Sequence, residues 1–348
     1  MKYYVTHRFT DIFHYIKKKK VDIEIILKEM GYEPLFPESE RPDLPIDALL
    51  KPTLSQLVKA MMRVQSGDVI VVQYPTVSMF SVLVRMARFK GARVVVVIHN
   101  MLNERATLVT NREITALNKA DHLIVSNRMI KAFLRTQGCS VPVTIHGPWD
   151  YLTDVKIPPR KLLPGERVGL NMASHPVCVP RNGFIFELGR HMPDVDLWLY
   201  VSNFNPANGI DTTNVKVYPH IEEPDFPLKA QGHFGLLWDG PSLQQCQGEW
   251  GDNILYTLPH KMSLYFECHL PVVTWSQSAS APYLRENNLG ILVDSLFDLN
   301  DRLKAVTPEE YDAMQQNVCR IAEPIAQGEY MREAMRKVDK DFRRRRYR

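Results

Sequence analysis

NILYTLPHKMSLYFECHLPVV, Asn253 to Val273, holds a helix start, a helix and an apolar run in one unbroken stretch. Thr257 is placed to cap the first turn, and Pro259 suits that turn because it lacks an N–H. Leu264, Tyr265 and Cys268 recur on one inward face. A helix feeding directly into a buried strand is the repeating unit of an open α/β sheet. The mouth of this helix carries Pro259, His260 and Lys261. It offers backbone N–H groups and the positive end of the helix dipole, and Lys261 adds a full charge, so the same stretch is a candidate diphosphate site. A lysine in a first turn is also what an ordinary solvated helix shows.

The alternation extends in both directions. Upstream, strands are expected at 2–6, 69–73, 93–99, 122–126 and 141–145, with helices at 23–30, 55–64, 80–89, 107–119 and 128–137. GPWDYLTDVKIPPRKLLP, Gly147 to Pro164, carries four prolines and reads as the passage between domains. Beyond it, strands are expected at 167–172, 195–201, 215–218, 233–238, 271–275 and 290–293. The loop from Asp239 to Asn253, rich in Gly, Gln and Asp, has the length of a mobile lid. A last helix is expected at 329–342, returning to the N-terminal domain. The domain boundaries follow as 1–155, 156–325 and, for the returning helix and basic tail, 326–348.

A chain of 348 residues with 24% charged and 45% hydrophobic residues has the composition of a soluble globular protein of two domains. No apolar run approaches the roughly 20 residues of a membrane span, and no apolar signal segment follows the N-terminus, so a cytoplasmic location is expected. The five cysteines, Cys139, Cys178, Cys246, Cys268 and Cys319, lack metal-ligand spacing and read as reduced thiols. Net charge is +4, yet Arg336 to Arg348 hold eight Lys or Arg against Asp339 and Asp341. Such a tail suits contact with an anionic inner leaflet, and Lys17 to Lys20 are expected to extend the patch. A solvated tail is the plain alternative; no nucleic-acid-binding motif accompanies the charge.

There is no GxGxxG after a strand, no Walker A sequence, no GxSxG elbow and no HExxH, which disfavours dinucleotide redox, P-loop, serine hydrolase and zincin chemistry. What remains is phosphate capture by helix ends and basic side chains. Arg181, in HPVCVPRNGF at 175–184, turns from a strand into a helix where a guanidinium could grip a diphosphate. Gln73, Tyr74, Pro75, His99 and Asn100 follow buried strands at the carboxyl ends that line ligand crevices in open sheets. Asn287, Asn288 and Gly290 form a polar turn, and Asp194 with Asp196 mimics a metal-binding DxD.

QGHFGLLWDG at 231–240, LPHKMSLYFECHLPVV, and LRENNLGILV at 284–293 together resemble bacterial GT-B glycosyltransferases. The branch is the one that includes adhesin glucosyltransferases and galactofuranosyltransferases. VVQYPT, VVVIHN, LNKADHLIVSNRMIKAFLRTQG and TIHGPWD fall in the same order in the first half. The resemblance implies a GT-B fold, two Rossmann-like domains facing across a cleft. It also implies a UDP-sugar donor held by the second domain, a glycan acceptor on a lipid carrier or glycoprotein met by the first, and self-association.

By the same resemblance Arg181 and Lys261 match diphosphate-binding positions and Tyr200 a position near the nucleotide, while His260, Met262 and Ser263 share the helix start and Asn288 stands in a later motif. No cofactor and no metal are implied, since cationic side chains and a helix dipole stabilise the leaving UDP. Candidates for the base are His99, Glu104 on the same loop, and Asp11 near the N-terminus, where His7 and Thr10 also face the acceptor. Relatives show an Asp directly after the His, where this chain has Asn100. Without a carboxylate partner for Glu267, inversion is the expected outcome. The alternative from another class is a non-catalytic GT-B-like subunit that binds a partner transferase or glycan.

Overall fold

The computed structural model describes residues 1–5, 14–36, 53–75, 79–99, 111–173, 179–202, 214–221 and 225–346. The chain divides into two compact units: Met1–Asp150 with Gly328–Arg348, and Tyr151–Gln327.

In the first unit the strands are β1 (Lys2–Tyr4), β2 (Glu33–Pro34), β3 (Val69–Tyr74), β4 (Arg93–Ile98), β5 (His122–Val125) and β6 (Val143–Ile145). They pair in parallel in the order β2-β1-β3-β4-β5-β6. VIVVQY and RVVVVI are buried almost throughout, as β-branched runs are when helices cover both faces of a parallel sheet. The helices are α1 (His14–Glu29), α2 (Leu54–Met62), α3 (Phe80–Phe89), α4 (Asn111–Leu117) and α5 (Arg128–Thr136). α2 begins on a capping box, with Thr53 N donating to Gln56 Oε1 at 2.8 Å and Gln56 N to Thr53 Oγ1 at 3.3 Å. Asn127 Oδ1 caps α5 by accepting from Met129 N at 2.7 Å and Ile130 N at 3.0 Å.

Two differences from expectation have local causes. The two-residue strand β2 carries too little sequence to show a period. α1 begins nine residues before Ile23 because the lysine run, polar all round, hides the helical face. Within that run, Lys18, Lys19 and Lys20 are not a solvated patch either. Lys18 pairs with Asp22 at 2.9 Å, Lys19 Nζ lies 4.4 Å from the Trp149 ring centroid, and buried Lys20 donates to Pro75 O at 3.3 Å.

The second unit repeats the plan. Its strands are β7 (Gly169–Ala173), β8 (Asp196–Tyr200), β9 (Val215–Tyr218), β10 (Phe234–Leu237), β11 (Val272–Trp275) and β12 (Gly290–Val293), all parallel in the order β12-β11-β10-β7-β8-β9. Its helices are α6 (Val179–Asn182), α7 (Ile185–His191), α8 (Phe226–Lys229), α9 (Gly248–Asn253), α10 (His260–Glu267), α11 (Ala281–Asn287), α12 (Leu299–Lys304) and α13 (Pro308–Ala326). Strand order reverses between β7 and β10, which makes their carboxyl ends the topological switch point. Gly235 in β10 is required by packing: a Cβ there would lie 2.3 Å from Tyr265 Cγ of α10.

The proline-rich passage is tied down within the second unit: Arg160 donates to Ala230 O at 2.7 Å, Cys268 O at 2.9 Å and Gly232 O at 3.3 Å. The Asp239–Asn253 loop is likewise packed rather than lid-like. Leu243 and Cys246 are buried in the core, and Leu296 N donates to Leu243 O at 2.8 Å. Asp194 and Asp196 face cations, Lys304 at 3.1 Å and Arg167 at 3.1 Å respectively.

After α13 the chain rejoins the first unit as α14 (Glu329–Arg346), which lies against α1 and β6. Asp150 holds its start, accepting from Tyr330 N at 3.1 Å and Met331 N at 2.8 Å. No helix among the described residues is long and apolar enough to cross a membrane.

Candidate functional site

In the second unit the candidate site gathers at the switch point. Arg181, in α6, sends Nε to Asp239 Oδ1 at 3.2 Å, and its guanidinium lies 4.6 Å from the Trp250 ring centroid. Gly240 N donates to Arg181 O. Gly240 has φ +121°, and a Cβ would meet Gln247 O at 2.8 Å, so only glycine lets the turn after β10 close on Arg181. A guanidinium fixed on one edge by a carboxylate and on its face by an indole is a preorganised anion-binding group.

α10 is set between the same two strands by one side chain. Tyr265 Oη accepts from Ala173 N at 3.0 Å and donates to Leu236 O at 3.2 Å, joining the ends of β7 and β10. Because α10 leads into β11, a parallel strand, its amino end lies at the carboxyl edge of the sheet. Pro259 is the N-cap and makes no side-chain cap bond. Thr257, expected in that role, instead donates to Asn253 O at 3.0 Å, leaving the helix mouth to its backbone donors. Lys261 is half-buried there; His260 stacks on Tyr151 with ring centroids 5.2 Å apart. Met262 and Ser263 are fully buried, so their side chains brace the helix, and Met262 N already donates to Pro259 O at 3.0 Å.

Tyr200 closes β8 at the same carboxyl edge, in register with Ala173 of β7, whereas Asn288 is placed elsewhere. Tyr200 is buried, with Oη accepting from Gln231 N at 3.1 Å and donating to Lys229 O at 3.3 Å; burial pushes the phenol up to about 12. It braces the α8–β10 connection. Asn288 is the left-handed C-cap of α11, φ 49°, at the amino edge of β12 and therefore away from the ligand edge.

In the first unit, His99 follows β4 at the carboxyl edge and is 2% exposed. Gln73 Nε2 donates to Lys20 O at 3.1 Å, which leaves Gln73 Oε1 to accept from His99 Nε2 at 2.7 Å and fixes that nitrogen as the protonated one. The imidazole stacks on Trp149 at 4.8 Å and 10°, and His146 leans on the same indole at 4.3 Å. His146 Nδ1 donates to Pro148 O at 3.1 Å, and burial pulls its pKa down to about 3. Burial, then Lys20, pulls Lys19 down to about 7. Asp11 and Glu104, with His7, Thr10 and Asn100, lie outside the described residues.

Trp149, His146 and Lys19 in the first unit, and Asp239 and Trp250 in the second, fall within stretches singled out in the sequence, but not as site residues. Their partners are far away along the chain, and no spacing announces them; only their positions just after strands would have drawn attention to His146 and Asp239.

Two family models cover nearly the whole chain: Glucosyltransferase 3-like, N-terminal domain, over residues 2–148, and Glucosyltransferase 3-like, C-terminal domain, over residues 170–338. The chain belongs to the glucosyltransferase 3-like family. The β-1,6-galactofuranosyltransferase WbbI of Escherichia coli (strain K12) is 35% identical over 112 residues, covering 32% of this chain and 34% of that protein. Glucosyltransferase 3 of Streptococcus gordonii is 23% identical over 288 residues, 79% of this chain and 80% of that protein. Solved structures share the family's two-domain GT-B fold. They include a glycosyltransferase from Rickettsia africae ESF-5, with TM-score 0.62, 10% identity and coverage of 99% and 97% of the two chains. Anabaena HepE in complex with UDP-glucose matches with TM-score 0.57 at 10% identity, covering 97% and 99%.

Proposed function

We propose that the chain transfers a hexosyl unit, glucose, galactose or galactofuranose, from a UDP-sugar to a hydroxyl of a glycan acceptor carried on a lipid or a glycoprotein. The observation that carries this is the Arg181 guanidinium held by Asp239 and Trp250 at the switch point of the second sheet. Family membership and relatives named as glucosyl- and galactofuranosyltransferases support it.

In the reaction the bond from the sugar's C1 to the UDP oxygen breaks and a bond from C1 to the acceptor oxygen forms. The acceptor's proton passes to a base, and UDP leaves with its negative charge. Arg181, Lys261 and the mouth of α10 stabilise that charge without a metal ion. Attack from the face opposite UDP inverts C1. The first unit takes the acceptor, with His99, Glu104 and Asp11 the base candidates; the basic tail rests on an anionic leaflet, and the protein self-associates.

A non-catalytic GT-B-like subunit is the second reading, favoured by one observation: His99 is buried with Nε2 hydrogen-bonded to Gln73 and its ring on Trp149. Calorimetry of UDP, GDP, ADP and a set of UDP-sugars in EDTA, with donor hydrolysis measured alongside, separates the two. UDP binding with slow hydrolysis of one UDP-sugar supports the transferase; UDP binding without turnover of donor or acceptor supports the subunit, and no nucleotide binding sinks the site assignment.

A further inference from the structure

The first unit's amino edge, where its strands begin, lies opposite the carboxyl edge of the same sheet, which carries His99. α2 and α3 both end there, because each leads into a parallel strand. Lys90 Nζ donates to Val64 O at 3.0 Å and Met62 O at 3.5 Å, and Gly67 N donates to Gly91 O at 2.9 Å, so the two helix ends lie side by side. On that seam Met62 is 73% exposed and Phe89 is 92% exposed. Leu54 and Val58 continue the exposed apolar stripe along α2 at four-residue spacing. Residues 53–67 and 79–93 carry Lys59, Arg63, Arg85, Arg88, Lys90 and Arg93, and no Asp or Glu.

α14 finishes at the same edge. Its Phe342 ring lies 4.6 Å under the Arg93 guanidinium, its Asp341 is 3.3 Å from His122 Nδ1 at the start of β5, and its Asp339 is 2.7 Å from Lys2 Nζ at the start of β1. Exposed Arg343 and Arg344 follow directly. The neighbouring carboxylates are engaged: Glu33 with Arg63 at 3.7 Å, Asp68 with Gln65 N at 2.8 Å, Asp121 with Val94 N at 2.7 Å, and Asp339 and Asp341 as above. Among the described residues no carboxylate lies within ion-pairing distance of Arg88, Lys90, Arg343 or Arg344.

Cations at helix C-termini favour the dipole, which accounts for Lys59 and Arg88 but gives no reason to hold Phe89 and Met62 in water. A nucleic acid would take the cations alone, whereas a charged bilayer surface takes both kinds of side chain. We infer that this amino edge is a docking surface for an anionic lipid bilayer, with Phe89 and Met62 entering the boundary between headgroups and acyl chains while Arg88, Lys90, Arg343 and Arg344 meet lipid phosphates. The inference extends the tail contact proposed above to a defined surface, and does not depend on glycosyl transfer. It leaves the carboxyl edge, with His99 and His146, facing away from the bilayer.

Flotation of the full chain with vesicles of phosphatidylcholine alone, and of phosphatidylcholine with phosphatidylglycerol, tests it. Binding is expected only with phosphatidylglycerol and is weakened by salt. Met62→Ser with Phe89→Ser should lower partitioning by about tenfold or more, and Arg88→Gln with Arg344→Gln by about twenty-fivefold, near fivefold for each cation. Both pairs change exposed side chains and should keep the wild-type thermal midpoint. Absence of flotation with phosphatidylglycerol overturns the inference. So does full binding by the double serine variant, or binding that is abolished by removing 343–348 but insensitive to Arg88→Gln, since either leaves only a basic tail. Retention of RNA without vesicle binding assigns the surface to nucleic acid instead.

Discussion

Arg181 Nε and Asp239 Oδ1 lie 3.2 Å apart, joining the helix after β7 to the second residue beyond the end of β10. Fifty-eight residues separate them in sequence, and the pair straddles the switch point at which open α/β sheets bind ligands. Asp239 therefore acts as a positioning residue for the guanidinium.

Removing Arg181 should lose charge-assisted bonds to a diphosphate, each about 1.5–3 kcal/mol. Arg181→Ala is expected to weaken UDP binding by about tenfold to a hundredfold. Asp239→Asn should weaken it by less, since the cation remains and only its orientation loosens. Calorimetry of both variants checks this; unchanged UDP affinity in Arg181→Ala would remove the residue from the site.

Tyr265 joins β7, β10 and α10 through one hydroxyl, and Gly235 lies beneath its ring. Tyr265→Phe leaves the buried Ala173 N–H without its acceptor and should cost about 1–3 kcal/mol. Gly235→Ala forces the ring to move and should cost at least the 1–3 kcal/mol typical of overpacking. Urea unfolding midpoints test both, and wild-type stability in Gly235→Ala would contradict the close approach.

Asp150 gives the first unit a pH dependence. Burial raises its carboxyl from 3.8 to about 7, against the lowering effect of the Met331 and Tyr330 N–H groups; Asp22 raises it further and Arg332 lowers it. The folded state then binds more protons than the unfolded state between about pH 4 and 7. Stability contributed by this group is present below pH 4 and falls by roughly 4 kcal/mol as pH rises through 7. His146 works in the opposite direction: its pKa of about 3 when folded makes stability rise with pH up to 6.5. Subtracting the Asp150→Asn unfolding curve from wild type isolates the first effect, and a difference that does not change from pH 4 to 7 would refute it.

Lys19 should act at higher pH. With its pKa lowered from 10.5 to about 7, the unfolded state binds the extra proton between those values, so wild-type stability rises with pH from 7 toward 10.5. Lys19→Met keeps an unbranched side chain of similar length without the ammonium and removes the rise. Denaturant midpoints at pH 7 and pH 9 measure it; an equal rise in the variant would place the ammonium in water.

The sequence by itself determined the architecture. Period-2 and buried apolar runs such as VIVVQY and RVVVVI, alternating with helical stripes, require a parallel sheet covered on both faces, and cap residues such as Thr53 and Asn127 mark helix starts locally. It also placed Arg181 and Lys261 after strands and at helix mouths, because that information lies within a few residues of each. Only the tertiary structure decided which partners these groups meet. Asp239 and Trp250 around Arg181, Trp149 between His99, His146 and Lys19, and the seam of Met62 and Phe89 beside the end of α14 are brought together by sheet order. The same order turned Asn288 into a helix cap on the far edge and drew Lys18, Lys19 and Lys20 inward. Spacing along a chain encodes the face of a helix or strand, but contacts across a sheet depend on crossovers whose lengths and directions no local pattern records.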